Sequence, residues 1–136
     1  MWQVLIRVVL ASVLSFIAVL PVWAEATIAR AQFSTDVIDR EPIDDIGTTV
    51  KVEYGGIQRV YFFTDLRDMA GSQVLHRWKL DGEVYAEIPF FEIGGDRWRV
   101  WSSKRLLPGF DGTWSVDTVL DGKVIDTRAF EYVDEE

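Results

Sequence analysis

His76 is the only histidine in the chain, and there is no cysteine. Imidazole catalysis would therefore rest on one residue. His76 alternates with Trp78 in a strand-like run, so the two share a face, and that pattern favours a buried, hydrogen-bonded imidazole over a catalytic one. A thiol nucleophile is absent. Ser102-Ser103-Lys104 sets hydroxyls beside an amine, but successive strand residues point apart and no strained elbow marks a nucleophile. Zinc needs several His, Cys or carboxylate ligands, which a lone His does not supply. Asp36, Asp39, Glu41, Asp44 and Asp45 crowd one loop and offer oxygens of the kind Ca²⁺ takes. Their spacing follows no calcium-loop pattern, and an acidic run is ordinarily solvated surface. Paired carboxylates such as Asp65 and Glu87 are the remaining route to catalysis, in the manner of a hydrolase. No cofactor or metal is expected.

A binding surface has more support. Arg77, Lys79, Arg97, Arg99, Lys104 and Arg105 fall within one stretch of a chain whose net charge is −8. Strand alternation sets Arg97, Arg99, Trp101 and Ser103 on one face, and Arg77, Lys79 and Tyr85 on outward faces. Trp101 is thus the one tryptophan on a charged side. Arg97, Arg99, Arg77, Lys79, Tyr85, Lys104 and Trp101 are the candidate ligand-binding residues, a basic and aromatic face able to stack a sugar ring or grip an anionic polymer. The competing expectation is an ordinary cross-strand ladder, with the arginines stacked on Trp101 and Tyr85 and paired to nearby acids.

Strands must position these residues. Gln32–Ile38, Thr48–Tyr54 and Gln58–Leu66 read as strands, the last rich in β-formers at Val60 to Phe63. Val74–Leu80 and Glu83–Phe90 flank Asp81-Gly82, the strongest short-range signal for a hairpin. Arg97–Ser103 follows, then Trp114–Leu120 and Lys123–Val133 around a second hairpin turn, Asp121-Gly122. The expected core is Trp78, Leu80, Val84, Ala86, Ile88, Phe90, Trp98, Val100, Trp114, Val116 and Leu120. The fold class is all-β: an immunoglobulin-like or similar antiparallel β-sandwich of about seven to eight strands, preceded by an N-terminal signal helix.

That helix is the expected export signal. Met1 to Arg7 carries one positive charge, Val8–Leu20 is an uncharged apolar run, Pro21 breaks it, and Val22-Trp23-Ala24 suits a cut after Ala24. The run of 13 residues is short of the ~20 that span a bilayer, so cleavage is expected, with a retained anchor as the alternative. A lipid anchor on cysteine is excluded. The domain plan is a signal peptide over 1–24, a short leader over 25–34 and a single β-sandwich domain over 35–136. Without residues 1–24 the net charge is −9 and four tryptophans remain. So acidic a domain argues against nucleic acid as partner, and with no disulfide its stability must come from aromatic and aliphatic packing.

From Thr35 to Val133 the chain resembles a bacterial domain-of-unknown-function family (twenty-nine fourteen). The segments that carry the resemblance are Ile38-Asp39-Arg40-Glu41-Pro42, Val60 to Leu66, His76-Arg77-Trp78, Arg97 to Lys104 and Gly112-Thr113-Trp114. The resemblance implies a secreted or envelope-associated module, with no established activity and no catalytic residues to carry over. The functional expectation is an exported, non-enzymatic binding or interaction module of the cell envelope, periplasmic or otherwise envelope-located. Its partner would be a glycan, a cell-wall polymer or a protein, with the membrane involved only through an uncleaved signal segment. The alternatives are a structural or self-assembling domain and, third, a carboxylate-dependent hydrolase.

Overall fold

The structure, a computed structural model, describes residues 15–18, 25–53, 56 and 58–135. The expected signal helix and its cut after Ala24 lie outside the described residues, apart from 15–18, which hold no regular secondary structure. Among the described residues the chain forms ten strands and no helix: β1 Thr27–Ser34, β2 Val37–Ile38, β3 Glu41–Pro42, β4 Thr49–Glu53, β5 Gln58–Arg67, β6 Val74–Leu80, β7 Glu83–Phe90, β8 Arg97–Leu106, β9 Gly112–Leu120 and β10 Lys123–Glu135. They make a three-stranded sheet in the order β1-β5-β8, a five-stranded sheet in the order β4-β10-β9-β6-β7, and a short β2–β3 hairpin. All described pairings are antiparallel except β4 with β10.

The two Asp-Gly turns do what their chemistry predicts. Asp81 and Gly82 sit at φ 49° and 85°, Asp121 and Gly122 at 47° and 83°, the double positive φ that two-residue hairpins use to match strand twist. β6 and β7 therefore have the limits read from the sequence. β1 departs from expectation, since most of the supposed leader over 25–34 is a strand. Its sequence, TIARAQFS, has little intrinsic β signal. Pairing along β5, from Thr27 opposite Arg67 to Ser34 opposite Tyr61, supplies the order instead. The expected first strand over 32–38 is accordingly divided between the end of β1 and the short β2.

Two apolar clusters lie between the sheets. One holds Phe33, Phe62, Trp78, Trp114, Phe130 and Tyr132; the other, toward the end where β1 begins, holds Leu66, Met69, Val74, Ile93 and Val100. Trp78, Trp114 and Val116 are fully buried as expected. Val84 is not: it is 53% exposed. The register slips between Trp78, opposite Ala86, and Lys79, opposite Val84, leaving Tyr85 as a bulge residue. A bulge resets strand alternation, so Val84 turns outward with Lys79.

Between the clusters runs a polar chain. Trp78 Nε1–H donates to Ser102 Oγ over 2.9 Å, Ser102 Oγ lies 2.7 Å from His76 Nδ1, His76 Nε2 lies 3.0 Å from Thr64 Oγ1, and Thr64 Oγ1 reaches the Val100 carbonyl over 3.4 Å. Thr64 spends its proton on the Val100 carbonyl, so Thr64 Oγ1 accepts from His76, and Nδ1 of the neutral ring accepts the Ser102 proton. The imidazole proton is then on Nε2. Every member is satisfied with a neutral His76. The ring meets Phe62 and Phe90 edge-on, at 4.8 and 4.7 Å between centroids, and so joins the two apolar clusters. Burial holds its pKa down at about 3.

Candidate functional site on the outer face of the three-stranded sheet

The seven candidate binding residues do not form one face, because β6 and β8 belong to different sheets. Arg77 and Lys79 lie on the outside of the five-stranded sheet. There Arg77 pairs with Glu87 at 3.1 Å and Lys79 with Asp117 at 2.7 Å. Burial pushes the Asp117 carboxyl up, but hydrogen bonds from Lys79 and Thr127 outweigh it and leave the pKa lowered. This is the ordinary charged ladder across β7, β6 and β9.

Tyr85 and Lys104 meet elsewhere, at the open side between β7 and β8. The bulge turns the Tyr85 ring onto Trp114 and Phe110, 5.2 and 5.7 Å away, and Lys104 Nζ stands 5.3 Å over the Tyr85 ring. With Arg105, Leu107, Phe110 and Trp114 they line a cavity of about 60 Å³. Small-molecule pockets hold roughly 300–1,000 Å³, so this one seals the sandwich edge rather than receiving a ligand.

Arg97, Arg99 and Trp101 share the outer face of the three-stranded sheet. Trp101 is half-buried opposite Phe63 on β5, while Arg99 faces Asp65 and Arg97 faces Arg67. The face is not simply solvated, because β2 and β3 lie across it. Glu41 of β3 accepts from Arg30 of β1 at 2.8 and 3.0 Å and from Arg99 of β8. Beneath this arm Phe63 is fully buried, with the Arg30 guanidinium 5.0 Å over its ring. The arm turns through Asp39 and Arg40 at φ 52° and 63°, and Arg40 stands 5.5 Å over Trp98. A positive φ at arginine is uncommon, and the indole contact helps hold the turn.

Asp65 is the centre of the cluster. Its side chain is 1% exposed, and Arg67 and Arg97 each approach it at 3.1 Å, with Arg30 at 3.6 Å. It screens two like charges that stand directly opposite one another on β5 and β8. Glu41, half exposed, is held down at about 2, first by the hydrogen bonds from Arg30 and then by Arg99. Four guanidiniums thus surround two carboxylates. The side chains of Arg30, Arg67 and Arg97 remain 39%, 39% and 46% exposed. The sequence pointed to Arg97, Arg99 and Trp101 but missed Arg30, Glu41, Asp65 and Arg67 as their partners. The Asp65 alternation with Phe63 and Arg67 was the available signal.

The candidate catalytic pair Asp65 and Glu87 is not brought together. Asp65 lies outside one sheet and Glu87 outside the other, so they do not flank a common bond. Ser102 is inward and engaged by Trp78 and His76, whereas Ser103 is outward and accepts from Arg59. In the acidic loop, Asp44 accepts from Ser34 and Thr35, Asp36 from the Val37 amide and Asp45 from the Gly47 amide. Among the described residues no group of three or more His, Asp and Glu is disposed to hold a metal ion.

Residues 71–132 match the model of a family described as protein of unknown function (DUF2914), so the family resemblance is shown over β6 to β10. No curated protein matches. An immunoglobulin-like protein from Pseudomonas aeruginosa is similar in fold, at 12% identity and a TM-score of 0.51 over 83% of this chain and 100% of that one. Two structures of the CARDB domain of a Pyrococcus furiosus protein, one in complex with di-metal ions, are each 10% identical. They cover 79% and 82% of this chain and 95% and 94% of theirs, at TM-scores of 0.45 and 0.46. The chain is thus an all-β domain similar in fold to an immunoglobulin-like protein, and over residues 71–132 it matches a family without known function.

Proposed function

We propose that this chain is an exported, non-enzymatic binding module of the cell envelope, and that its contact surface is the outer face of the three-stranded sheet. The observation that carries it is the excess of guanidinium over carboxylate around Asp65 and Glu41, beside half-buried Trp101. Ion pairs at this exposure contribute about 0–1 kcal/mol each, and four arginines on two acids exceed what charge balance within the face requires. On a chain of net charge −8, such a patch suits an anionic group of a glycan, a cell-wall polymer or a protein, held by bidentate guanidinium contacts. The export half rests on the leader pattern over 1–24, and the non-enzymatic half on the sealed position of His76.

Two probes test the surface: heparin as an anionic polysaccharide and polyglutamate as an anionic polypeptide. The wild-type protein should be retained by at least one of them at low salt. Arg97→Ala and Trp101→Ala should each elute at lower salt, and Lys79→Ala, on the opposite sheet, should elute with wild type. Retention that ignores Arg97 and Trp101, or no retention on either probe, removes this face from consideration.

A further inference from the structure

Among the described residues the two larger sheets have four edges, β1, β8, β4 and β7, and three of them are blunted. β1 is bulged between Ile28 and Arg30, and its Phe33 carbonyl accepts from the Ile46 amide. β7 is bulged at Tyr85 and carries Pro89. β4 is five residues long. β8 is different. It runs for ten residues in unbroken register with β5 and contains no proline. Among the described residues its other side pairs with no strand, and no loop donates a backbone hydrogen bond to it. An edge of that kind presents unpaired amides and carbonyls to any extended chain.

Its charge selects the partner. β8 carries Arg97, Arg99, Lys104 and Arg105 and no acid. Arg105 is exposed and makes no ion pair among the described residues, and the Arg97 side chain is 46% exposed. Two copies of β8 would bring these cations together, which disfavours self-pairing. A strand with acids on alternate residues would set them directly opposite Arg97, Arg99 and Arg105 on the outer face, where opposite charges stabilise a cross-strand pair. Trp101 lies between them on the same face.

We infer that β8 takes an extended acidic segment of a partner protein by strand addition, a mode that rests on the anionic-ligand reading above and specifies its ligand. Main-chain hydrogen bonds then supply affinity and the alternate acids supply selectivity.

The test uses the full chain and a synthetic peptide of alternating Glu and Val. Two further forms of the peptide are N-methylated, one at every Glu and one at every Val. Strand addition engages only the amides on one edge of the peptide. One methylated form should therefore bind at least tenfold more weakly than the parent, and the other about as well as the parent. On binding, alternate β8 amides should gain protection from hydrogen exchange, and Arg105→Glu should weaken the parent peptide several-fold. If both methylated forms bind like the parent, or both lose binding alike, strand addition is overturned. Heparin bound through Arg97 while the peptide is ignored would overturn strand addition and leave the anionic surface standing; no binding of either probe would overturn both.

Discussion

Acidification from pH 7 to pH 5 should destabilise this protein through a single side chain. His76 is fully buried and its pKa is lowered from 6.5 to about 3 by that burial. Below pH 6.5 the unfolded chain takes up a proton that the folded chain refuses, so stability is complete above 6.5 and falls as the pH descends toward 3. A tenfold change in proton affinity is about 1.4 kcal/mol. The loss is therefore about 2 kcal/mol between pH 7 and pH 5, and about 4–5 kcal/mol by pH 3. The upper window isolates the effect, because the chain has one histidine. The lowered carboxyls of Glu41, Asp44 and Asp117 contribute stability that is lost only as the pH falls below their ordinary values near 4. Urea unfolding at pH 7 and pH 5 reads the difference, with His76→Gln as control. Gln keeps one donor and one acceptor but does not ionise, so its stability at pH 7 is lower and its loss by pH 5 is small. The reasoning is refuted if wild type and His76→Gln lose equal stability, or if the imidazole resonances of the folded protein titrate near 6.5.

Other perturbations separate the polar chain from the arginine cluster. Ser102→Ala removes the acceptor for Trp78 and the donor to His76, at an expected cost of about 2–3 kcal/mol; an unchanged denaturant midpoint would mean that these groups find other partners. Asp65→Asn leaves Arg67 and Arg97 opposed without their shared anion, for an expected loss of about 1–3 kcal/mol that added salt partly restores. Gly112→Ala is expected to cost about 1–2 kcal/mol, because φ is 141° there and the added Cβ would lie 2.8 Å from the Asp81 carboxylate; a melting temperature equal to wild type would show that the β9 start relaxes freely.

The strands were legible where local chemistry decides them. Asp-Gly turns and alternation fix β6, β7, β9 and the start of β10 almost residue by residue. β1 was not legible, because its order comes from β5 rather than from its own composition. Val84 was misassigned because one inserted residue reverses the alternation, and nothing in the tripeptide Val84-Tyr85-Ala86 announces the bulge. The candidate site shows the same boundary. Alternation placed Arg97, Arg99 and Trp101 correctly together, because they share one strand. It could not tell that β6 and β8 join different sheets, which sends Arg77 and Lys79 to the opposite side. Glu41 lies 58 residues from Arg99 in sequence, so the arm that bridges them is a product of the tertiary fold.

The parallel pairing of β10 with β4 has a mechanical consequence. The described chain enters beside Leu66 and Met69 and leaves beyond Tyr132, in the other apolar cluster. A pull applied to the two ends is therefore directed along the strands. It must slide β1 along β5 and β10 along β4, loading many ladder bonds at once, rather than peel them one at a time. Such a domain would resist tension as a link in a chain. Single-molecule pulling from the two ends should show a higher rupture force than pulling on β6 and β7 across their shared turn, which opens that hairpin bond by bond.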